Sequence, residues 1–205
     1  VNLFLSNLAE IPVNGKKVML RQTTSYPWSG DIQVDILSKA KQDFTLKVRI
    51  PGWVQNRVLP GDLYSYADKK NPTYRVKVNG QQVDFTPDKG YVPITRTWKK
   101  GDKVEIHFDM EPRIVKAHPA VEADRGRVAV ERGPLVYCAE WPDNDFSIFS
   151  ILLGKNPHFS VVNRPDLLHG IDQLVTPAQA LSYSGEGKLE VNDVKLTLIP
   201  YYAWA

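Results

Sequence analysis

Alternation of apolar and polar residues dominates this chain and limits its fold more than any other feature. Ile32, Val34 and Ile36 alternate with polar neighbours, and residues 44–50 repeat the pattern before Pro51 ends the run. Side chains on a strand point alternately to opposite faces, so each run predicts a strand with one buried and one wet side. No apolar stripe of helical spacing persists for three turns. The chain is therefore expected to be built from strands.

Turn signals between these runs predict how the strands follow one another. Asn79-Gly80 tolerates the positive φ angles of a type I′ turn, which predicts a hairpin over 74–85. A second strand pair is predicted at 91–98 and 103–110, across a short polar link containing a glycine. Each pair would be antiparallel.

The later part of the chain is harder to interpret. Four prolines interrupt residues 141–187, where no single element is predicted. Residues 135–139 are apolar enough to predict a strand buried on both faces. Strands are also predicted at 188–191 and 194–199, around a turn at Asn192-Asp193.

Many short strands with regular turn signals are typical of β-sandwiches. The predicted fold class is all-β, with two antiparallel β-sandwich-like domains in tandem and little helix. Glu111-Pro112 follows a complete set of antiparallel strands, so the division is placed there. The predicted domains are 1–112 and 113–205.

Composition excludes several classes of partner. The 26 Lys and Arg against 23 Asp and Glu give a net charge of +3, and the two signs alternate along the chain. No basic stripe follows a phosphate backbone, which argues against nucleic acid. No apolar run approaches the roughly 18 residues of a membrane span. Both ends are apolar, whereas termini are usually polar and frayed, so we expect a piece of a longer protein.

The residues that could carry catalysis form no recognisable constellation. Only His118 and Glu122 stand at a spacing suited to a metal, and Pro119 argues against a helix presenting both. Cys138 lies in an apolar run and is predicted to be a small core residue rather than a nucleophile. Trp98 ends an alternating strand and is also predicted in the core. We therefore predict no catalytic and no metal-binding residue. The sequence also argues against an independent hydrolase, which needs paired carboxylates.

Aromatic residues at turn signals are the remaining candidates for a site. Tyr26, Trp28 and Trp53 lie beside Pro-containing turns, where a ring can be exposed at the edge of a sandwich. Such rings pack either against a neighbouring domain or against a sugar, and we favour the domain contact. In the sugar-binding alternative, Asp31 or Arg49 supplies the polar contacts.

Several strings, in order along the whole chain, resemble the β-L-arabinofuranosidases of glycoside hydrolase family 127. These strings are Arg21–Gly30, Leu46–Trp53, Gly126–Ala129, Arg132–Cys138 and Pro200–Ala205. The resemblance implies a parent enzyme whose large N-terminal (α/α)6 barrel carries catalysis, with β-sandwich domains following it. It also implies that the nucleophilic cysteine, the zinc-binding cysteines and glutamate and the acid/base glutamate lie in that barrel. Cys138 does not match that cysteine cluster, so no catalytic residue is carried over.

The resemblance thus implies a non-catalytic accessory region that supports the barrel of the same polypeptide, with no cofactor of its own. The parent would cleave β-L-arabinofuranosyl linkages in plant-derived glycans. A periplasmic or extracellular place in a polysaccharide-degrading bacterium fits such a parent, although the sequence fixes no compartment. The alternative is a carbohydrate-binding module that uses the exposed aromatic residues.

Overall fold

The structure is a computed structural model that describes residues 1–204. Its strands are β1 (Asn7–Val13), β2 (Lys16–Thr24), β3 (Asp31–Ile36), β4 (Gln42–Arg49), β5 (Tyr64–Tyr66), β6 (Tyr74–Val78), β7 (Gln81–Gln82), β8 (Tyr91–Trp98), β9 (Lys103–Phe108), β10 (Pro112–Ala117), β11 (Ala129–Arg132), β12 (Leu135–Cys138), β13 (Ile151–Leu152), β14 (Ser160–Arg164), β15 (Ile171–Tyr183) and β16 (Leu189–Pro200). Helix in the described residues is confined to 3₁₀ turns at Trp53–Gln55, Glu122–Asp124, Trp141–Asp143, Ile148–Ser150 and Tyr201–Ala203. All strand pairs are antiparallel, and the predicted all-β class is confirmed. None of these helices is long and apolar enough to cross a membrane.

The first half of the chain forms a sandwich. A six-stranded sheet, in the order β1-β2-β3-β9-β6-β7, faces the two-stranded sheet β4-β8. Ile32, Val34 and Ile36 of one sheet and Leu46 and Val48 of the other are buried in one shared core. The alternation of the sequence therefore marks the core face, as predicted. The hairpin of β6 and β7 is also confirmed, with positive φ at both residues of its Asn-Gly turn.

The predicted pairing of 91–98 with 103–110 is wrong. Both strands exist, but β8 pairs with β4, whereas β9 lies between β3 and β6 in the other sheet. The link between them crosses from one sheet to the other, and Asp102 within it is 1% exposed and accepts hydrogen bonds at both of its oxygens. Its Oδ1 accepts from Asn79 Nδ2 at 3.0 Å, and its Oδ2 accepts from the backbone N–H of Lys99 at 2.9 Å. The first bond ties the link to the β6–β7 turn, and the second closes the link on itself.

The second half is built on an eight-stranded sheet. Its order is β13-β15-β16-β12-β11-β10-β5, and β14 pairs with β15. The predicted turn at Asn192-Asp193 is wrong, because both residues lie inside β16 and pair with Ala180 and Gln179 of β15. The prediction that residues 135–139 are buried on both faces is also wrong. Only Tyr137 of that strand is buried, and Val136 is 43% exposed.

One strand crosses between the halves. β5 belongs to the long connection between β4 and β6 of the first half, yet it pairs with β10 at the edge of the second sheet. Tyr66 lies opposite Val115 in this pairing, and Tyr64 lies opposite Ala117. Backbone hydrogen bonds therefore join the two halves in addition to side-chain contacts. The division at residue 112 stays a prediction of the sequence.

Gly30 permits a close backbone approach that any side chain would block. A Cβ at this position would lie 1.9 Å from the carbonyl oxygen of Phe108. The backbone N–H of Phe108 donates to the Gly30 carbonyl oxygen at 3.0 Å. We expect Gly30→Ala to lower the free energy of unfolding by about 1–3 kcal/mol, because rigid backbone must shift. Urea unfolding measures this. Gly185→Ala is the control, since open space surrounds Gly185, and equal stabilities of the two variants would contradict the argument.

Candidate functional site

Arg113 is the centre of a polar network at the junction of the two halves. The side chain is 7% exposed, and its Nε and Nη2 donate to the two oxygens of Asp68 at 3.1 and 2.7 Å. Nη2 also donates to Oδ1 of Asn56 at 2.7 Å. The guanidinium carbon lies 3.5 Å from the centre of the Tyr66 ring, which is cation–π geometry. Arg113, at the start of the second half, is thus bonded to the long connection between β4 and β6 in the first half.

Glu131 extends this network. The Tyr66 hydroxyl donates to Glu131 Oε2 at 2.9 Å. Burial raises the pKa of the Glu131 carboxyl. Burial and the Glu131 charge together raise the pKa of the Tyr66 hydroxyl well above its usual value, which keeps it protonated as a donor. The sequence carried no motif for this network, because its members are ordinary strand and loop residues.

Two cavities lie beside the network and share Trp53, Glu131 and Gly133 in their walls. We call the first the Tyr66 cavity; it measures about 430 Å³ and also reaches Lys70 and Glu111. We call the second the Arg49 cavity; it measures about 470 Å³. Both contain residues from each half, so the site belongs to neither half alone.

Three of the five predicted site residues come together. Tyr26, Arg49 and Trp53 all line the Arg49 cavity. The indole N–H of Trp53 donates to the Tyr26 hydroxyl at 3.4 Å, and the Trp53 ring meets Phe108 edge-on with centres 5.8 Å apart. Burial raises the pKa of the Tyr26 hydroxyl. Trp53 is therefore seated on the core of the first sandwich while it lines both cavities.

Trp28 lies elsewhere, at a contact between the halves. Its ring centre is 6.3 Å from that of Tyr202, and its carbonyl accepts from Arg132 Nη2 at 3.1 Å. Nη1 of Arg132 donates to the buried Asp172, also at 3.1 Å. An ion pair of the second half thus reaches across to a turn of the first.

Asp31 is on the outer face of the six-stranded sheet, away from Trp53. Its Oδ1 is 2.6 Å from Nδ1 of His107, and Nε2 of the same ring is 3.0 Å from Oδ1 of Asp109. The hydrogen bond with His107 lowers the pKa of Asp31. Asp109 also lines the Tyr66 cavity, so this row of polar groups ends at the cavity wall. His107 and Asp109 were not predicted from the sequence.

The other residues considered for chemistry are accounted for by packing. Trp98 is 1% exposed, and its indole N–H donates to the Phe44 carbonyl at 3.0 Å, which confirms its place in the core. Cys138 is only partly buried rather than a full core residue. Burial and two nearby carboxylates raise the pKa of its thiol to about 11, so the thiolate is scarce at neutral pH. Within residues 1–204, no three His, Cys, Asp or Glu side chains are arranged to hold a metal ion.

The Arg113 network gives stability a dependence on pH. Hydrogen bonds from Arg113 lower the pKa of Asp68 in the folded chain. Because the folded value is below the unfolded value of about 4, the stabilisation is complete above pH 4–5 and is lost as the pH falls through the folded value. We expect the free energy of unfolding, measured in urea between pH 5 and pH 2, to fall more steeply for the unmodified chain than for Asp68→Asn. Exposed Asp62→Asn is the control, and parallel profiles for all three proteins would contradict the expectation.

Comparison with known proteins places this architecture in a family. A model described as the GH127 middle domain of β-L-arabinofuranosidase matches residues 1–110, and one described as the glycoside hydrolase family 127 C-terminal domain matches residues 112–205. A protein described as a non-reducing end β-L-arabinofuranosidase, from Bifidobacterium longum subsp. longum, is 29% identical over 219 aligned positions. The alignment takes in 98% of this chain and 30% of that protein.

Two solved structures agree with these matches. A GH127 β-arabinofuranosidase is 64% identical with a TM-score of 0.96, over 99% of this chain and 32% of its own. A GH127 β-L-arabinofuranosidase from Geobacillus stearothermophilus T6 is 32% identical with a TM-score of 0.85, over 98% of this chain and 31% of its own. This chain spans about a third of the length of these relatives. It belongs to glycoside hydrolase family 127 and corresponds to the middle and C-terminal domains of that family.

Proposed function

We propose that this chain is the non-catalytic accessory region of a family 127 enzyme that acts on β-L-arabinofuranosyl groups of plant glycans. The pair of domain matches is the observation that carries the proposal, since together they cover residues 1–110 and 112–205. About 70% of the Bifidobacterium relative lies outside the alignment. The catalytic (α/α)6 barrel expected from the family resemblance belongs to that larger part, and a sandwich fold does not itself supply catalysis.

The accessory region would act as a rigid support for the barrel of the same polypeptide. Leu3 and Leu5, on the segment before β1, are 64% and 60% exposed, and Leu8, in β1, is 59% exposed. Large exposed apolar side chains close together mark a surface that packs against a partner. The Arg113 network and the β5–β10 pairing hold the two halves in one relative position. A support of fixed shape would keep the contact surface, and with it the barrel, in place.

The proposal is tested with the chain 1–205 and 4-nitrophenyl β-L-arabinofuranoside. We expect no release of nitrophenol above the buffer rate by folded protein, with folding checked by circular dichroism. The full-length Bifidobacterium enzyme, assayed in parallel, serves as the positive control. Turnover that co-purifies with the chain would overturn the non-catalytic assignment.

A further inference from the structure

The Tyr66 cavity has the position and size of a small-molecule site. It lies between the two halves, and binding pockets form preferentially at domain interfaces, with volumes of about 300–1,000 Å³. Its volume of about 430 Å³ is within that range. Trp53 and Tyr66 supply flat aromatic walls. A ligand here would meet two ring systems held in place by the core and by the Arg113 network.

The positive charges in the cavity wall are paired with carboxylates. Lys70 Nζ is 2.7 Å from Glu111 Oε2. Asp109 accepts a hydrogen bond from the Thr73 hydroxyl, and Glu131 accepts one from Tyr66. Because Lys70 is paired with Glu111 and Arg113 with Asp68, an anionic ligand would find no uncompensated positive charge. The carboxylate oxygens nevertheless keep lone pairs for further donors, which suits a neutral molecule rich in hydroxyl groups.

Arg113 adds a donor to the same wall. The side chain is 7% exposed, and its Nη1 finds no hydrogen-bond acceptor among residues 1–204. A buried donor without an acceptor costs free energy, so a ligand oxygen that reached it would be held more tightly. Hydroxyl and ring oxygens of a sugar are acceptors of this kind.

We propose that the Tyr66 cavity binds one residue of a neutral glycan. The C–H face of the sugar ring packs on Trp53, its hydroxyls donate to Glu111 and Glu131, and one of its oxygens faces Arg113. The site binds and does not cleave. Such a site would anchor the protein to the glycan polymer. The proposal does not depend on the proposed role of this chain as a support for a barrel.

Calorimetry with arabinan oligosaccharides and the chain 1–205 tests this site. We expect Trp53→Ala to weaken binding at least tenfold and Trp141→Ala to leave it unchanged, since Trp141 is 55% exposed and lies outside the cavity. Because Trp53 also packs on Phe108, a second variant guards against unfolding. Glu111→Gln changes a side chain that is 68% exposed, and we expect it to weaken binding several-fold.

Three results would overturn the proposal. The first is the absence of binding by the unmodified chain at millimolar oligosaccharide. The second is an equal loss of affinity in Trp141→Ala, which would place the site elsewhere. The third is tighter binding of oligogalacturonates than of neutral oligosaccharides, which would refute the charge argument. None of them alters the turnover assay, so failure of this site and failure of the accessory assignment are distinguishable.

Discussion

Arg113→Ala is expected to lower the free energy of unfolding by about 3 kcal/mol. Removal of one member of a buried ion pair leaves its partner uncompensated, and such losses are about 3–5 kcal/mol. Asp68 keeps 31% of its side-chain surface exposed, so water moderates the loss and the lower end of that range applies. The substitution also removes the cation above the Tyr66 ring. Urea unfolding followed by tryptophan fluorescence measures the difference.

Arg125→Ala is the matched control. Arg125 pairs with Glu122 at 3.7 Å, but the two side chains are 73% and 83% exposed. An exposed pair contributes about 0–1 kcal/mol, so this variant should unfold almost as the unmodified chain does. Equal losses of unfolding free energy in the two arginine variants would show that burial of the ion pair at the junction adds no stability.

Trp98→Ala is expected to lower the free energy of unfolding by about 3–5 kcal/mol, the range typical when a large aromatic residue is removed from a core. The ring is 1% exposed and stacks on Phe44, with centres 5.6 Å apart. Its indole N–H is bonded to the Phe44 carbonyl, and that acceptor would be left without its donor. The same urea titration reports the loss.

Trp141→Ala provides the comparison for this experiment. Trp141 is 55% exposed and touches Phe149, which is 88% exposed. Surface substitutions of this kind usually change stability by less than about 0.5 kcal/mol. A loss as large as that of Trp98→Ala would mean that the sandwich core is not the main source of stability.

Local pattern predicted several of the strands, but it missed those within 141–187 (β13, β14 and β15) and did not predict all of the pairings. The alternation at Ile32–Ile36 reports which side of a strand is buried, and the structure confirms it. It does not report which sheet the strand enters. The sequence pattern therefore predicts that β8 pairs with β9, whereas the two strands lie in different sheets. Likewise, Asn192-Asp193 is a typical turn sequence, but in the structure both residues pair with the long strand β15.

The candidate site was only partly predictable for the same reason. Tyr26, Arg49 and Trp53 stand at or beside the ends of strands, and strand ends of one sandwich gather at one edge. Arg113 has no such signal, because its partners Asp68 and Asn56 are 45 and 57 residues away in sequence. Contacts of that separation depend on tertiary structure, which no local motif encodes.

The crossing strand β5 has a consequence for any attempt to study the halves separately. A chain cut between the two family matches would lose β5 and leave the backbone of β10 as an open edge. Open edges recruit strands from other molecules, and a short exchangeable strand is a route to domain-swapped dimers. We expect the isolated second half to self-associate in a concentration-dependent way, and a synthetic peptide with the β5 sequence to suppress that association.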